Sequence, residues 1–176
     1  GTPGEALSVS ARLNDIAPFV PAITGAATLD GTLRDAGDFW AADLNAAGPG
    51  GISAWVTGRL AQSGSNFEAV GQLPLDFADR YLGTRSLSGI ARFDVAFDDK
   101  TGLNGLSGTV TGDGVRLFAP KYNFVMNQGV FRADIAGGRA LVDATGQVDG
   151  GGTIGLDGAV ALQAPFPGRL NIRLIA

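Results

Sequence analysis

The sequence predicts an all-β protein: an elongated, antiparallel-rich sheet with little helix. Three observations predict it. Apolar and polar residues alternate with period two along most of the chain, as they do in strands with one oily and one wet face. Glycine is abundant, 28 of 176 residues. It does not recur at every third position, so collagen is excluded and turns, bulges or close approaches are implied. Finally, short phrases repeat. Ile23-Thr24-Gly25-Ala26-Ala27-Thr28-Leu29-Asp30, Leu87-Ser88-Gly89-Ile90-Ala91-Arg92-Phe93-Asp94 and Leu106-Ser107-Gly108-Thr109-Val110-Thr111-Gly112-Asp113 share one pattern. It is an aliphatic, a hydroxyl, a glycine, then alternation closing on aspartate. Gly50-Gly51 is followed by Gly58, and Gly150-Gly151 by Gly158, with six residues between in each case. Repetition of this kind marks architectures that act along an extended surface.

Leu7, Val9, Ala11 and Leu13 alternate with Ser8, Ser10 and Arg12 in a first strand. Asn14-Asp15-Ile16-Ala17 can cap a short turn that Pro18 and Pro21 stop. Ala27, Leu29, Gly31 and Leu33 alternate with Thr28, Asp30 and Thr32. Turn residues come next, at Asp35-Ala36-Gly37-Asp38 and at Ala47-Gly48-Pro49-Gly50-Gly51. Ile52, Ala54, Val56 and Leu60 face away from Ser53, Thr57 and Arg59. The stretch 75–82 predicts two helical turns ending at Gly83. Ala91, Phe93, Val95 and Phe97 alternate with Arg92, Asp94 and Asp98, before the turn Asp98-Asp99-Lys100-Thr101-Gly102. Lys121-Tyr122-Asn123-Phe124 reads as a strand start. After the turn Asp149-Gly150-Gly151-Gly152, Ile154, Leu156, Val160 and Leu162 share a face opposite Thr153 and Asp157. Leu170, Ile172 and Leu174 repeat the habit. No linker divides residues 1–176, which read as one unit. The last stretch alternates and stops in mid-strand, as expected of a piece of a larger protein.

Composition removes several functions. Hydrophobic residues are 45% and charged residues 17% of the chain, the opposite of a disordered tail. A formal net charge of -4 and scattered arginines argue against nucleic acid, which needs a cationic footprint. There is no cysteine and no histidine. That excludes thiol catalysis, disulfide scaffolds, Cys-type zinc sites and a Ser-His-Asp triad. No run of 18 apolar residues marks a spanning helix. Asp94, Asp98, Asp99 and Asp113 sit beside turns, where aspartate is what a turn requires, and no calcium-loop spacing surrounds them. Gly150-Gly151-Gly152 lacks the Gly-Lys-[Ser/Thr] end and the adjoining helix of a phosphate loop. No catalytic, cofactor or metal residue is expected, and the chain does not read as an enzyme.

A sheet with one oily face must bury that face. It can pack on a second sheet, close into a barrel, or curl into a trough filled by an apolar ligand. Periodicity alone does not choose.

The [Ile/Leu]-[Ser/Thr]-Gly-x-[Ala/Val] starts, the Gly-Gly turns, and Phe131-Arg132-Ala133-Asp134-Ile135-Ala136-Gly137-Gly138-Arg139-Ala140 resemble the TamB family of Gram-negative envelope proteins, related to AsmA-type bridge proteins. The resemblance spans about Leu7 to Leu174. It implies a β-taco, a U-shaped trough with a hydrophobic concave face, in the periplasm, within a protein anchored in the inner membrane. It implies the outer-membrane barrel TamA as a partner of the full-length protein. It also implies roles in outer-membrane protein assembly and in phospholipid transport between membranes. The family's N-terminal anchor and its extreme C-terminal segment are not recognisable here. On this reading the cargo is phospholipid or a hydrophobic β-strand. The groove would be lined by Leu29, Leu33, Ile52, Val56, Phe93, Val95, Phe97, Val110, Ile154, Leu156, Val160, Leu162, Ile172 and Leu174. The competing reading is a structural or adhesive β-solenoid segment, with the same residues in a closed core.

Overall fold

A computed structural model describes residues 5–17, 24–163 and 165–175. The chain is all-β. Its eleven strands are β1 (Ala6–Leu13), β2 (Ala27–Asp35), β3 (Trp40–Ala47), β4 (Ser53–Leu60), β5 (Asn66–Pro74), β6 (Ser86–Asp98), β7 (Leu106–Ala119), β8 (Phe124–Ala136), β9 (Arg139–Val148), β10 (Thr153–Ala161) and β11 (Gly168–Ile175). They form a single sheet in chain order. Each neighbouring pair is antiparallel, as short turns between successive strands require. β1 and β11 are separate edges, so the sheet is open.

Helix is confined to the connections. Leu75–Ala78 forms a 3-10 turn and Asp79–Leu82 a single α-turn, α1, ended by Gly83 at φ 68°. This is the helical stretch the sequence expects. Asn14–Ala17 forms no helical turn. Instead the Asp15 carboxylate accepts the backbone N–H groups of Ala17 and Gly25 at 3.1 and 2.9 Å. It thereby ties the two ends of that loop together. Pro18 and Pro21 lie outside the described residues. Phe124 does begin β8, but Lys121 and Tyr122 belong to the preceding 3-10 turn Pro120–Tyr122. Asn123, at φ 47°, reverses the chain between them.

The repeated phrases have conformational causes. Gly25, Gly89 and Gly108, third in each copy of the first phrase, have φ of 117°, 128° and 130°. A side chain rarely tolerates those values, so glycine recurs. Gly50-Gly51 and Gly150-Gly151 hold positive φ in two turns at the same end of the sheet.

Among the described residues, nothing closes a core over this sheet. Every extensive strand–strand contact is between strands adjacent in sequence. The chain exposes 11034 Å². A compact monomer of 17.9 kDa would expose about 8000 Å². Among the described residues only small side chains are buried: Ala42, Ala91, Val115, Ala119 and Ala140.

Candidate functional site: the apolar face

Residues paired across antiparallel strands lie on the same face of the sheet. The register therefore assigns each side chain to a face. One row runs Ala11, Leu29, Ala46, Ala54, Gly71, Phe93, Val110, Ala133, Val142, Gly158, Leu170. The adjacent row runs Val9, Gly31, Leu44, Val56, Ala69, Val95, Gly108, Ile135, Ala140, Val160, Gly168. Each crosses all eleven strands without a polar side chain. At roughly 4.8 Å per strand, each row is about 48 Å long. The parallel row on the other face reads Ser10, Asp30, Asn45, Trp55, Val70, Asp94, Thr109, Asp134, Leu141, Ala159, Arg169.

Twelve of the fourteen residues proposed from sequence fall on the apolar face: Leu29, Leu33, Val56, Phe93, Val95, Phe97, Val110, Ile154, Leu156, Val160, Ile172 and Leu174. Ile52 and Leu162 lie just outside the strands. Ile52 comes directly after the 3-10 turn Pro49–Gly51, and the Leu162 N–H donates to the Gly138 carbonyl at 2.9 Å. Sequence reasoning missed Leu44 and Phe67 on the same face, although both alternate with polar neighbours, and Phe131 and Ile135, each of which has one apolar neighbour. It also missed Val115, Leu117, Phe124 and Met126. Their parity is reversed by bulges at Gly114 (φ 64°) and Gln128 (φ 52°). An extra residue at each bulge moves the next side chains along the strand to the opposite parity.

Glycines shape this face. A Cβ on Gly31, Gly58, Gly71, Gly108 or Gly158 would run into a backbone carbonyl of the adjacent strand: Asp43, Asn66, Ser53, Asp94 or Arg169, respectively. All five belong to the apolar face by register. Gly58 and Gly158 are the distal glycines of the second repeated phrase, so that repeat too marks places where backbones approach closely. Aromatic rings occupy the room that glycines leave. Phe67 lies against Gly58, Phe93 against Gly71 and Phe131 against Gly112, each directly across the register. Rings laid over cross-strand glycines cover bare backbone.

The connection between β5 and β6 covers part of this face. Leu75, from the turn joining β5 to β6, reaches beside Gly89 and Val115, and the 3-10 turn packs on β6. Ala91, 2% exposed, and Val115, 4% exposed, lie at that end of β6 and β7. Towards the edges the apolar face opens: Leu7 is 57% exposed, and Ile172 and Leu174 are each 66% exposed.

The polar face satisfies itself. Ser10 donates to Asp30 at 2.7 Å, and the Trp55 indole N–H donates to Asp43 at 2.7 Å. Arg132 holds Asp134 and also donates to Thr109. The Arg132 hydrogen bond keeps the Asp134 carboxyl below its ordinary pKa, and the same bond raises that of Arg132. Asp157 is likewise lowered, first by its bond from Asn171 and then by Arg173. Asp15 is lowered by the backbone N–H of Gly25 and then of Ala17. No group of three acidic side chains that could hold a metal ion occurs among the described residues. No helix among them is long and apolar enough to cross a membrane. What the arrangement offers chemically is non-directional apolar contact over a long track.

No family model, curated protein or solved structure matches the chain.

Proposed function

We propose that this chain is a segment of a TamB-like envelope protein, and that its apolar face is the concave wall of a groove for hydrophobic cargo. The cargo would be lipid acyl chains or the apolar strands of unfolded outer-membrane proteins. In that role the segment supports phospholipid transport between membranes and outer-membrane protein assembly in the periplasm. TamA would be reached through the full-length protein.

One observation carries the reading: two apolar rows cross eleven strands without a polar side chain, and among the described residues no second layer packs over them. Apolar surface left in water costs about 25 cal/mol per Å², so even a few hundred Å² disfavours the bare state by several kcal/mol. An occupant removes that cost. The crease glycines support concavity. Where a sheet bends, side chains on the inner face crowd neighbouring backbones, and every strand glycine jammed against a neighbouring strand's carbonyl belongs to the apolar face. Length supports a track rather than a pocket. An acyl chain spans about 15 Å, half of a roughly 30 Å hydrocarbon core, and the rows are about three times longer. Contact that is non-directional and continuous lets cargo slide without a deep minimum to trap it. The solenoid alternative fits less well, because the chain meanders in one sheet instead of winding around a closed core.

The test is photo-crosslinking. A photoreactive phenylalanine analogue is placed at position 93, or at 94 on the opposite face, and adducts are read by mass spectrometry in cells. Lipid or outer-membrane-protein adducts at 93 and none at 94 are expected. Equal yields at both positions, or none at either, would refute the groove.

A further inference from the structure

We infer an anion-binding site where β9, β10 and β11 meet at one end of the sheet, formed by Arg139 and Arg169. Arg139 pairs with Ala161 and Arg169 with Ala159, so the two arginines flank β10 from both sides on the polar face. Their backbones are two strands apart, about 10 Å laterally, within reach of two long side chains converging on one group. The alanines between them leave a cleft of about 480 Å³. No carboxylate lines it. Three arginines of the sheet are neutralised by carboxylates, Arg92 with Asp113, Arg132 with Asp134, and Arg173 with Asp157, whereas among the described residues Arg12, Arg34, Arg59 and Arg116 are unpaired but stand apart on four different strands. Among the described residues neither Arg139 nor Arg169 has such a partner. Asp157, on the same strand as the two alanines, already accepts from Asn171 and Arg173 at 2.9 and 2.6 Å. Two planar guanidinium forks facing a cleft without acids suit a phosphate or carboxylate group, which they can bind in a bidentate manner.

The cleft lies at the end of the sheet, next to residues of the other face. Val160 and Gly168 line it, and both belong to an unbroken apolar row. A ligand whose anionic group sits between the arginines can therefore lay an apolar tail onto that row. The chemical class is an anionic amphiphile. This extension rests on the groove reading, whereas the anion site stands without it.

The experiment uses the full chain, isotopically labelled, with two probes. Inorganic phosphate is titrated while backbone amide signals are followed. Vesicles of neutral phosphatidylcholine, alone or with a third of anionic phosphatidylglycerol, are tested by co-sedimentation at low salt. The variant Arg139→Gln/Arg169→Gln is compared with Arg12→Gln on the far edge strand, and circular dichroism checks that each folds. Phosphate is expected to shift the amides of Ala159, Ala161 and Gly168, and the double variant to abolish those shifts. Anionic vesicles are expected to bind about tenfold more tightly than neutral ones, a preference that Arg12→Gln retains and the double variant loses. Phosphate shifts with no vesicle binding would support the anion site and sink the groove. Equal binding to both vesicles with no phosphate shift would overturn the anion site and leave the groove standing.

Discussion

The two faces of β5 show the contrast that organises this molecule. Phe67, Ala69, Gly71 and Leu73 point one way, and Glu68, Val70 and Gln72 point the other. Both faces are built by the same backbone, yet they solve different problems. The polar face completes its own interactions, through pairs such as Trp55 with Asp43 and Arg132 with Asp134. The apolar face has no such internal partner. Its phenylalanines lie over glycines of the next strand, its central side chains such as Leu29 and Val110 stay half-buried, and its edges are exposed. Sheet stability here comes from the ladder and from side chains lying along the sheet. Neighbouring strands, not a second layer, supply what burial there is.

The largest expected effect breaks the apolar face from beneath. Gly71→Val drives a branched side chain into the Ser53 carbonyl and the Phe93 ring. It should destabilise the protein by about 3 kcal/mol, read as a lower urea midpoint. Thr57→Ala on the polar face should stay within about 0.5 kcal/mol. Next comes a charge on the track. Phe93→Arg or Leu156→Arg should leave the strand spectrum intact and reduce acyl-chain binding at least tenfold, measured by vesicle co-sedimentation. Asp94→Asn, one residue away on the other face, should change binding less than twofold. Leu75→Ala removes the side chain that covers Gly89 and Val115. It should cost about 2 kcal/mol and raise amide hydrogen exchange at Ala91 and Val115 before it changes exchange at β11.

Much of this contrast is legible in the sequence, and the reasons for the rest are physical. Period-two alternation fixes which side chains share a face within a strand, so Phe93, Val95 and Phe97 could be placed from sequence. The glycine phrases were also legible as repeats, because the conformations at Gly25, Gly89 and Gly108 exclude most other residues. The bulges at Gly114 and Gln128 were not. A single extra residue flips the parity of the rest of the strand, and Val115 or Met126 then reads as facing the wrong way. Nor does alternation say where a strand stops, which is why Ile52 and Leu162 fall outside. Openness was hidden too, since a sandwich, a barrel and a trough share one pattern. Arg139 and Arg169 lie 30 positions apart in sequence. Only the register of β9, β10 and β11 places them on either side of one strand.

The smallest expected effect concerns the polar face. Asp134 and Asp157 are held below the ordinary value of 3.8. A carboxyl whose folded pKa is depressed contributes stability above its unfolded pKa and loses it as pH falls through the folded value. Acidification below pH 3.8 should therefore loosen the pairing of β11 with β10, seen as faster amide exchange in β11. Because these groups are exposed, the change should be modest. Asp157→Asn should flatten it.

The central claim, that one face meets apolar chains while the other meets water, has reporters already in place. Trp40 lies on the apolar face opposite Leu60, and Trp55 on the polar face opposite Asn45. Their exposures are comparable, 42% and 52%. The decisive measurement is fluorescence quenching by phospholipids with brominated acyl chains in Trp55→Phe, which keeps Trp40, and in Trp40→Phe, which keeps Trp55. Strong quenching of Trp40 with little quenching of Trp55 is the predicted result. Equal quenching of both, or none of Trp40, would contradict the account.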